Sequence, residues 1–375
     1  MPDTAATDTT SVARKPLPAD LQAWLEAHTQ QLDTAQELAG AVLPQLAAAG
    51  LFRIGVPEAL GGSGGDVRDA IDAIAAVAEQ SLTSAFVFWG HRTFIEYVLQ
   101  SSNDALKARW LQPLLAGEHA GATGLSNAMK FLSGIESLQI TAAQAGDGWQ
   151  LDGGLAWITN LRKEGFVAAA AVNMPNGAPP AVMAFAGDAP GVTRSPDLDL
   201  MALRGSNTAA VWLNAVPAGA ADVIALDARK FLPAVRPAFL GMQCGMSIGL
   251  ARASLRSALA LCAKTRNTLT DRVLELQTAL DDAVARLLEG VHDGRFQSAA
   301  APMFRLRITL AEIVQAAVML ELQASGGRAY LRDHGLDFAR RWRESAFIPI
   351  VTPSLTQLQI ELQKQSAAGP ASATE

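Results

Sequence analysis

The sequence predicts an α+β multidomain protein in which a small β domain is inserted between two helical units. Three observations carry this. Apolar residues at three- and four-residue spacing fill residues 18–119, short alternating runs separated by glycine turns fill 120–223, and long helical patterns return over 224–364. Helices and strands are thus segregated along the chain, which argues against an alternating, parallel α/β sheet. Residues 1–17, rich in Thr, Ala and Pro, and the small-residue tail 365–375 are expected to be disordered.

Within the first unit, Leu21, Trp24, Leu25 and His28 form one helical stripe and Leu38, Val42, Leu43 and Leu46 another. A loop with glycines at Gly61, Gly62, Gly64 and Gly65 follows. Val67 to Leu99 reads as two helices, and Asn103 to Leu115 as one more, closed by Gly117. In the middle unit the strand candidates are Leu138–Ala143, Trp149–Asp152, Phe166–Val172, Ala181–Ala186 and Ala209–Leu213. The last unit carries long helices over Pro237–Thr265, Asp271–Leu288 and Ala299–Ser325, and shorter ones over Phe338–Phe347 and Thr356–Lys364.

Composition excludes several classes. The 375 residues are half hydrophobic, enough for a large core. The formal charge is −6 and the one basic cluster, Arg340, Arg341 and Arg343, is short, so a nucleic-acid partner has no electrostatic support. Cys244 and Cys262 form no CxxC, and the histidines (His28, His91, His119, His292, His334) are scattered, so neither a disulfide framework nor a metal site is expected. The start of the chain lacks the basic and apolar regions of a signal peptide, and no apolar run is long enough to span a membrane; a cytoplasmic location is the expectation.

Four motifs occur in order: AGLFRIGVPE at Ala49–Glu58 with the glycine loop after it, LDGGLAWITN at Leu151–Asn160, ALRGSNT at Ala202–Thr208, and QASGGRAY at Gln323–Tyr330. Together they resemble the acyl-CoA dehydrogenase family, over roughly residues 18–364. The resemblance implies a helical N-terminal domain, a small middle β-barrel or sandwich, and a C-terminal four-helix bundle. It also implies FAD, bound by Leu125, Ser126, Trp157, Ile158, Thr159 and Ser354. Trp157 would lie against the isoalloxazine, and Thr159 would offer its hydroxyl to the reactive ring nitrogen. Arg266 would stand near the diphosphate. Gln323, Gly326 and Gly327 would reach the FAD of a neighbouring subunit, glycine letting the backbone approach closely. A homo-oligomer, dimer or tetramer, follows from that.

The chain departs from the family where the chemistry is done. Family members abstract the substrate α-proton with a Glu while the flavin accepts hydride, and such a base must lie within reach of its proton. Thr352 occupies the Glu position, followed by Pro353 and Ser354. The alternative position for that Glu falls on Phe239 or Val235. In the loop flanking the flavin, Ser126 replaces a Thr, Asn127 a Glu and Ala128 a Pro, and Lys130 adds a charge. The arginine near the CoA moiety falls on Leu240, with Arg236 one turn earlier. His91 is the remaining titratable candidate on the substrate side, Glu136 a candidate relocated base, and Glu344 is expected to pair with Arg341 or Arg343. Three readings follow. The first is a dehydrogenase oxidising a Cα–Cβ bond of an acyl thioester or related substrate, passing electrons to an electron-transfer flavoprotein. The second is a two-component flavin monooxygenase on the same fold, using FAD or FMN supplied by a flavin reductase. The third is a silent flavin-binding subunit.

Overall fold

The computed structural model describes residues 16–264 and 268–367. The first unit holds α1 (Ala19–Thr34), α2 (Ala39–Ala48), α3 (Val67–Ala78), α4 (Leu82–Gln100) and α5 (Asp104–Ala116). Local chemistry sets their ends. Asp66 accepts from Arg68 N–H and its own N–H donates to Asp69, a capping box for α3. Ser81 and Asn103 cap α4 and α5, and Gly117, at φ 70°, turns the chain out of α5 in the left-handed conformation. Every residue of α4 from Leu82 to Val98 is buried, so α4 is the shared core helix on which the other units pack.

The middle unit consists of β1 (Ala120–Thr123), α6 (Ser126–Leu132), β2 (Ile140–Ala145), β3 (Gly148–Ile158), β4 (Phe166–Asn173), β5 (Ala181–Ala186), β6 (Val192–Arg194), β7 (Ala209–Ala218) and β8 (Val223–Ala225). The strand order is β6-β7-β3-β2-β4-β5-β8. β5 pairs antiparallel along one edge of β4; β1 and β2 pair parallel along the other, one after the other. Phe166–Val172 and Ala181–Ala186 are buried on both faces, which is why they read as continuous apolar runs rather than alternating ones.

The last unit holds α7 (Ala228–Cys262), α8 (Thr270–His292), α9 (Arg295–Ser298), α10 (Ala300–Ser325), α11 (Leu336–Phe347) and α12 (Leu355–Ala367). α7 starts earlier than the expected Pro237: Asp227 accepts from Arg229 N–H, and Pro233 and Pro237 are both carried inside the helix. The stretch after Leu125, expected as a loop, winds into the short helix α6. No helix among the described residues is long and apolar enough to cross a membrane. Among the same residues no group of three or more His, Cys, Asp or Glu is placed to hold a metal. Arg266 lies outside the described residues.

One buried carboxylate joins the three units. Asp33, at the end of α1, accepts from Arg343 Nε and Nη2 of α11 at 2.8 and 2.6 Å, and from Leu203 N–H of the middle unit at 3.2 Å. Its side chain is fully buried and the Arg343 side chain is 28% exposed, so the pair is only partly screened by water. Leu203 itself sits at φ 57°, a conformation that a leucine adopts only when its surroundings impose it. Asp33→Asn is therefore expected to cost about 3 kcal/mol of unfolding free energy, read by denaturant melts; a loss below about 0.5 kcal/mol would mean that solvent already screens the pair.

Candidate active site

A chamber of about 720 Å³ opens where the three units meet. α4 contributes Phe86 and Trp89, α7 contributes Phe239, and the segment after α11 contributes Ile350, Val351 and Thr352. The middle unit supplies the wall that matters most. Between Leu155 and Ile158, β3 bulges: those residues pair with Val211 and Ala209, so three steps on β3 face two on β7. The extra residue re-aims the strand and turns Trp157 out of the core. Its indole is 66% exposed and lines the chamber, while Leu155 and Ile158 on either side stay buried. Met201 at 70% and Ile350 at 67% complete an exposed apolar rim. A cluster of large apolar side chains left open beside a cavity marks a surface built to be covered.

Hydroxyls, the Lys130–Glu136 ion pair, Arg343 and Gln357 supply the polar groups. Ser126, at the start of α6, donates to Thr352 Oγ1 at 2.9 Å, bridging the middle and last units across the chamber. Thr159 and Ser354 also line it. Thr159 is 5% exposed and donates to the Ser206 carbonyl at 3.2 Å. The carboxylate on the lining, among the described residues, is Glu136, gripped by Lys130 Nζ at 2.6 Å and approached by Asn127 Nδ2 at 3.3 Å. The hydrogen bond from Lys130 holds its pKa below the usual carboxylate range. Thr352, in the position of the family's Glu, lines the chamber and brings a hydroxyl rather than a carboxylate.

Other expected site residues lie elsewhere. Leu125 and Ile158 are buried at 1% beneath the lining, as packing. Gln323, Gly326 and Gly327 are exposed and outside the chamber, with open space where a Cβ at either glycine would stand.

His91 is corrected outright. It is fully buried and does not line the chamber. Gly121 N–H donates to Nδ1 at 2.8 Å; Nε2 therefore carries the proton and donates to the Leu114 carbonyl at 2.9 Å. The ring packs 4.0 Å from Phe52. Both nitrogens are spent inside the fold, and burial pulls the pKa down to about 4. Glu344 is also corrected: it pairs with Arg340, one helical turn back, at 2.7 Å and accepts from Leu82 N–H at the start of α4. Arg341 pairs with Glu321 and Arg343 with Asp33.

Described in this way, the molecule has the architecture of acyl-CoA dehydrogenases: helices, a β domain, helices, and a chamber at their junction. Residues 14–118 match the family described as acyl-CoA dehydrogenase, N-terminal domain. The chain is 24% identical over 332 residues to the probable acyl-CoA dehydrogenase YngJ of Bacillus subtilis (strain 168), covering 83% of this chain and 86% of that one. Its fold superposes on glutaryl-coenzyme A dehydrogenase, solved in complex with glutaryl-CoA, with a TM-score of 0.76 at 17% identity, covering 95% of this chain and 96% of that one. It superposes equally on KijD3, solved in complex with FMN and a dTDP-linked amino-keto sugar, with a TM-score of 0.77 at 19% identity, covering 95% and 93%. Together the match over residues 14–118, the relatives that cover most of the chain and the shared fold support the acyl-CoA dehydrogenase superfamily.

The buried histidine gives a test. A folded-state pKa of about 4, below the unfolded value of 6.5, means that the unfolded chain binds more protons between those limits. The stability at stake is present above pH 6.5 and is lost as pH falls toward 4, by about 3 kcal/mol. His91→Gln should be less stable at pH 7 and should lose less over that window; an unchanged acid slope in urea melts would contradict the packing role.

Proposed function

We propose that this protein is a flavin-dependent oxidoreductase of the acyl-CoA dehydrogenase type that oxidises an apolar substrate in the chamber at the junction of its three units. The observation that carries the reading is the indole of Trp157, turned outward by the bulge in β3 and left 66% exposed on the chamber wall. A flat aromatic face, an apolar rim and hydroxyls at Ser126, Thr159 and Ser354 are what a tricyclic ring with a polar edge requires. Trp157 would stack against the ring, and those hydroxyls would meet its heteroatoms. FAD is the form expected in a dehydrogenase and FMN an option for a monooxygenase. The bound flavin would supply a two-electron acceptor for hydride.

In the dehydrogenase reading, a Cα–Cβ bond of an acyl thioester or related substrate is oxidised, and the chain must remove the α-proton. Glu136 is the carboxylate on the lining, among the described residues, that could take it. Lys130 holds it, however, and lowers its pKa, which weakens it as a base. That same observation favours a second reading, a two-component monooxygenase acting with reduced flavin and O₂, which needs no carboxylate base. KijD3, which shares the fold, is solved with FMN, the flavin that this reading allows.

The proposal extends to assembly and partners. Tyr330 is 92% exposed, and Leu331, Leu336 and Trp342 are exposed beside it in sequence, which supports a homo-oligomer formed through this stretch. An electron-transfer flavoprotein would accept electrons in the first reading, and a flavin reductase would supply them in the second.

Titration with FAD and FMN, followed by the visible flavin spectrum, tests the shared claim. One of the two should bind, and Trp157→Ala should weaken it by roughly tenfold, the loss of about 1.4 kcal/mol of stacking. Binding of neither flavin would overturn the reading. Anaerobic addition of octanoyl-CoA then separates the two chemistries. Bleaching that Glu136→Gln slows by about a hundredfold or more marks the dehydrogenase; no bleaching, with O₂ uptake by the reduced flavoprotein, marks the monooxygenase.

A further inference from the structure

Behind the chamber wall lies a buried cation. Arg307, on α10, has no exposed side-chain surface, and no acidic side chain among the described residues forms an ion pair with it. Burial pulls its pKa down, yet a guanidinium stays charged in any protein environment. A charge placed this deeply without a carboxylate is costly, and it persists only where fixed dipoles hold it.

Those dipoles lead to the chamber. Arg307 Nη2 donates to the Ile348 carbonyl at 2.5 Å, and Nε donates to Gln243 Oε1 at 2.9 Å. Because a guanidinium can only donate, it fixes which way the Gln243 amide faces. Gln243, 1% exposed on α7, must then turn its NH₂ outward, where it donates to the Thr352 carbonyl at 2.9 Å. Both ends of the 348–352 segment are therefore clamped to one guanidinium, directly at Ile348 and through Gln243 at Thr352. Nη1 has no hydrogen-bond partner among the described residues.

The clamp decides what Thr352 offers. Its Oγ1 accepts from Ser126 Oγ at 2.9 Å, and no acceptor among the described residues takes its own proton. Thr352 lines the chamber, so that proton is available to whatever enters.

We propose that Thr352 is a specificity-determining hydrogen-bond donor for a carbonyl oxygen on the substrate, and that Arg307 is the positioning residue that holds it there through Gln243. The assignment rests on the reading of this chamber as the substrate site, but not on the identity of the flavin. The position of the missing carboxylate then serves to recognise an acceptor instead of removing a proton.

The test uses two ligands of one shape, acetophenone and α-methylstyrene, which differ in carrying C=O or C=CH₂. Their dissociation constants are measured by calorimetry on the protein as purified and again with FAD added. The ratio of the two constants is compared between variants, which cancels their difference in hydrophobicity. Thr352→Val should shift the ratio against the ketone by about fivefold, the worth of one hydrogen bond, and Thr352→Ser should restore it. Gln243→Met and Arg307→Met should each shift it the same way by about threefold or more; Gln243→Met keeps the test open if the arginine variant fails to fold. A ratio unmoved by Thr352→Val, or no ketone binding by the parent protein, overturns the donor role. A ratio moved by Thr352→Val but not by Gln243→Met overturns the positioning role of Arg307. If the ratios behave as expected while FAD fails to bind, the flavin reading falls and this one stands.

Discussion

The carboxylate of Asp33 is the constraint on which the rest of the structure depends. It is a single buried group that satisfies a guanidinium from α11 and a backbone N–H from the middle unit while sitting on α1. Arg343 and Leu203, the two groups it holds, both line the chamber. Part of the chamber wall is therefore held from behind by Asp33, which lies 310 positions from Arg343 in the chain. Charge-assisted hydrogen bonds of this kind are directional, so they fix register between units as well as holding them together. The neighbouring pair Arg340–Glu344, which also reaches the first residue of α4, applies the same principle one turn away.

With the units locked, each contributes what its local structure provides. The sheet can present an exposed indole because a bulge breaks the alternation of β3. α4, buried on all sides, gives apolar side chains to the floor and keeps its histidine for itself. The 348–352 segment is held by turn hydrogen bonds to the Ser345 and Phe347 carbonyls and, from outside, by Arg307 and Gln243. The result is an apolar, hydroxyl-lined cavity with a tethered carboxylate on its lining, a chemistry suited to flat aromatic cofactors and apolar substrates with acceptor groups more than to strong bases.

The order of units was legible because it is written in periodicity, which is a local property. Trp157 was legible from the WITN run, but its exposure was not: that depends on a three-against-two mismatch with β7 that no single strand reveals. His91 looks like a site residue in sequence because a helix buried all round shows no polar face, so a core histidine and a site histidine are alike there. The early start of α7 had a signal in Asp227, a capping residue, which the two prolines after it obscured. Glu344 had three arginines within reach on its own helix, and the choice of Arg340 was made by burial and by the N–H of Leu82, both tertiary facts. The Arg307–Gln243–Thr352 line joins positions 64 and 109 residues apart and lies beyond any local pattern.

A crystal structure of the protein grown with FAD addresses the central claim most directly. The account predicts the isoalloxazine in the chamber, packed on the indole of Trp157 with its polar edge toward Ser126 and Ser354. Density for the ring anywhere else, or an indole swung down to close the chamber in a flavin-free crystal, would contradict it.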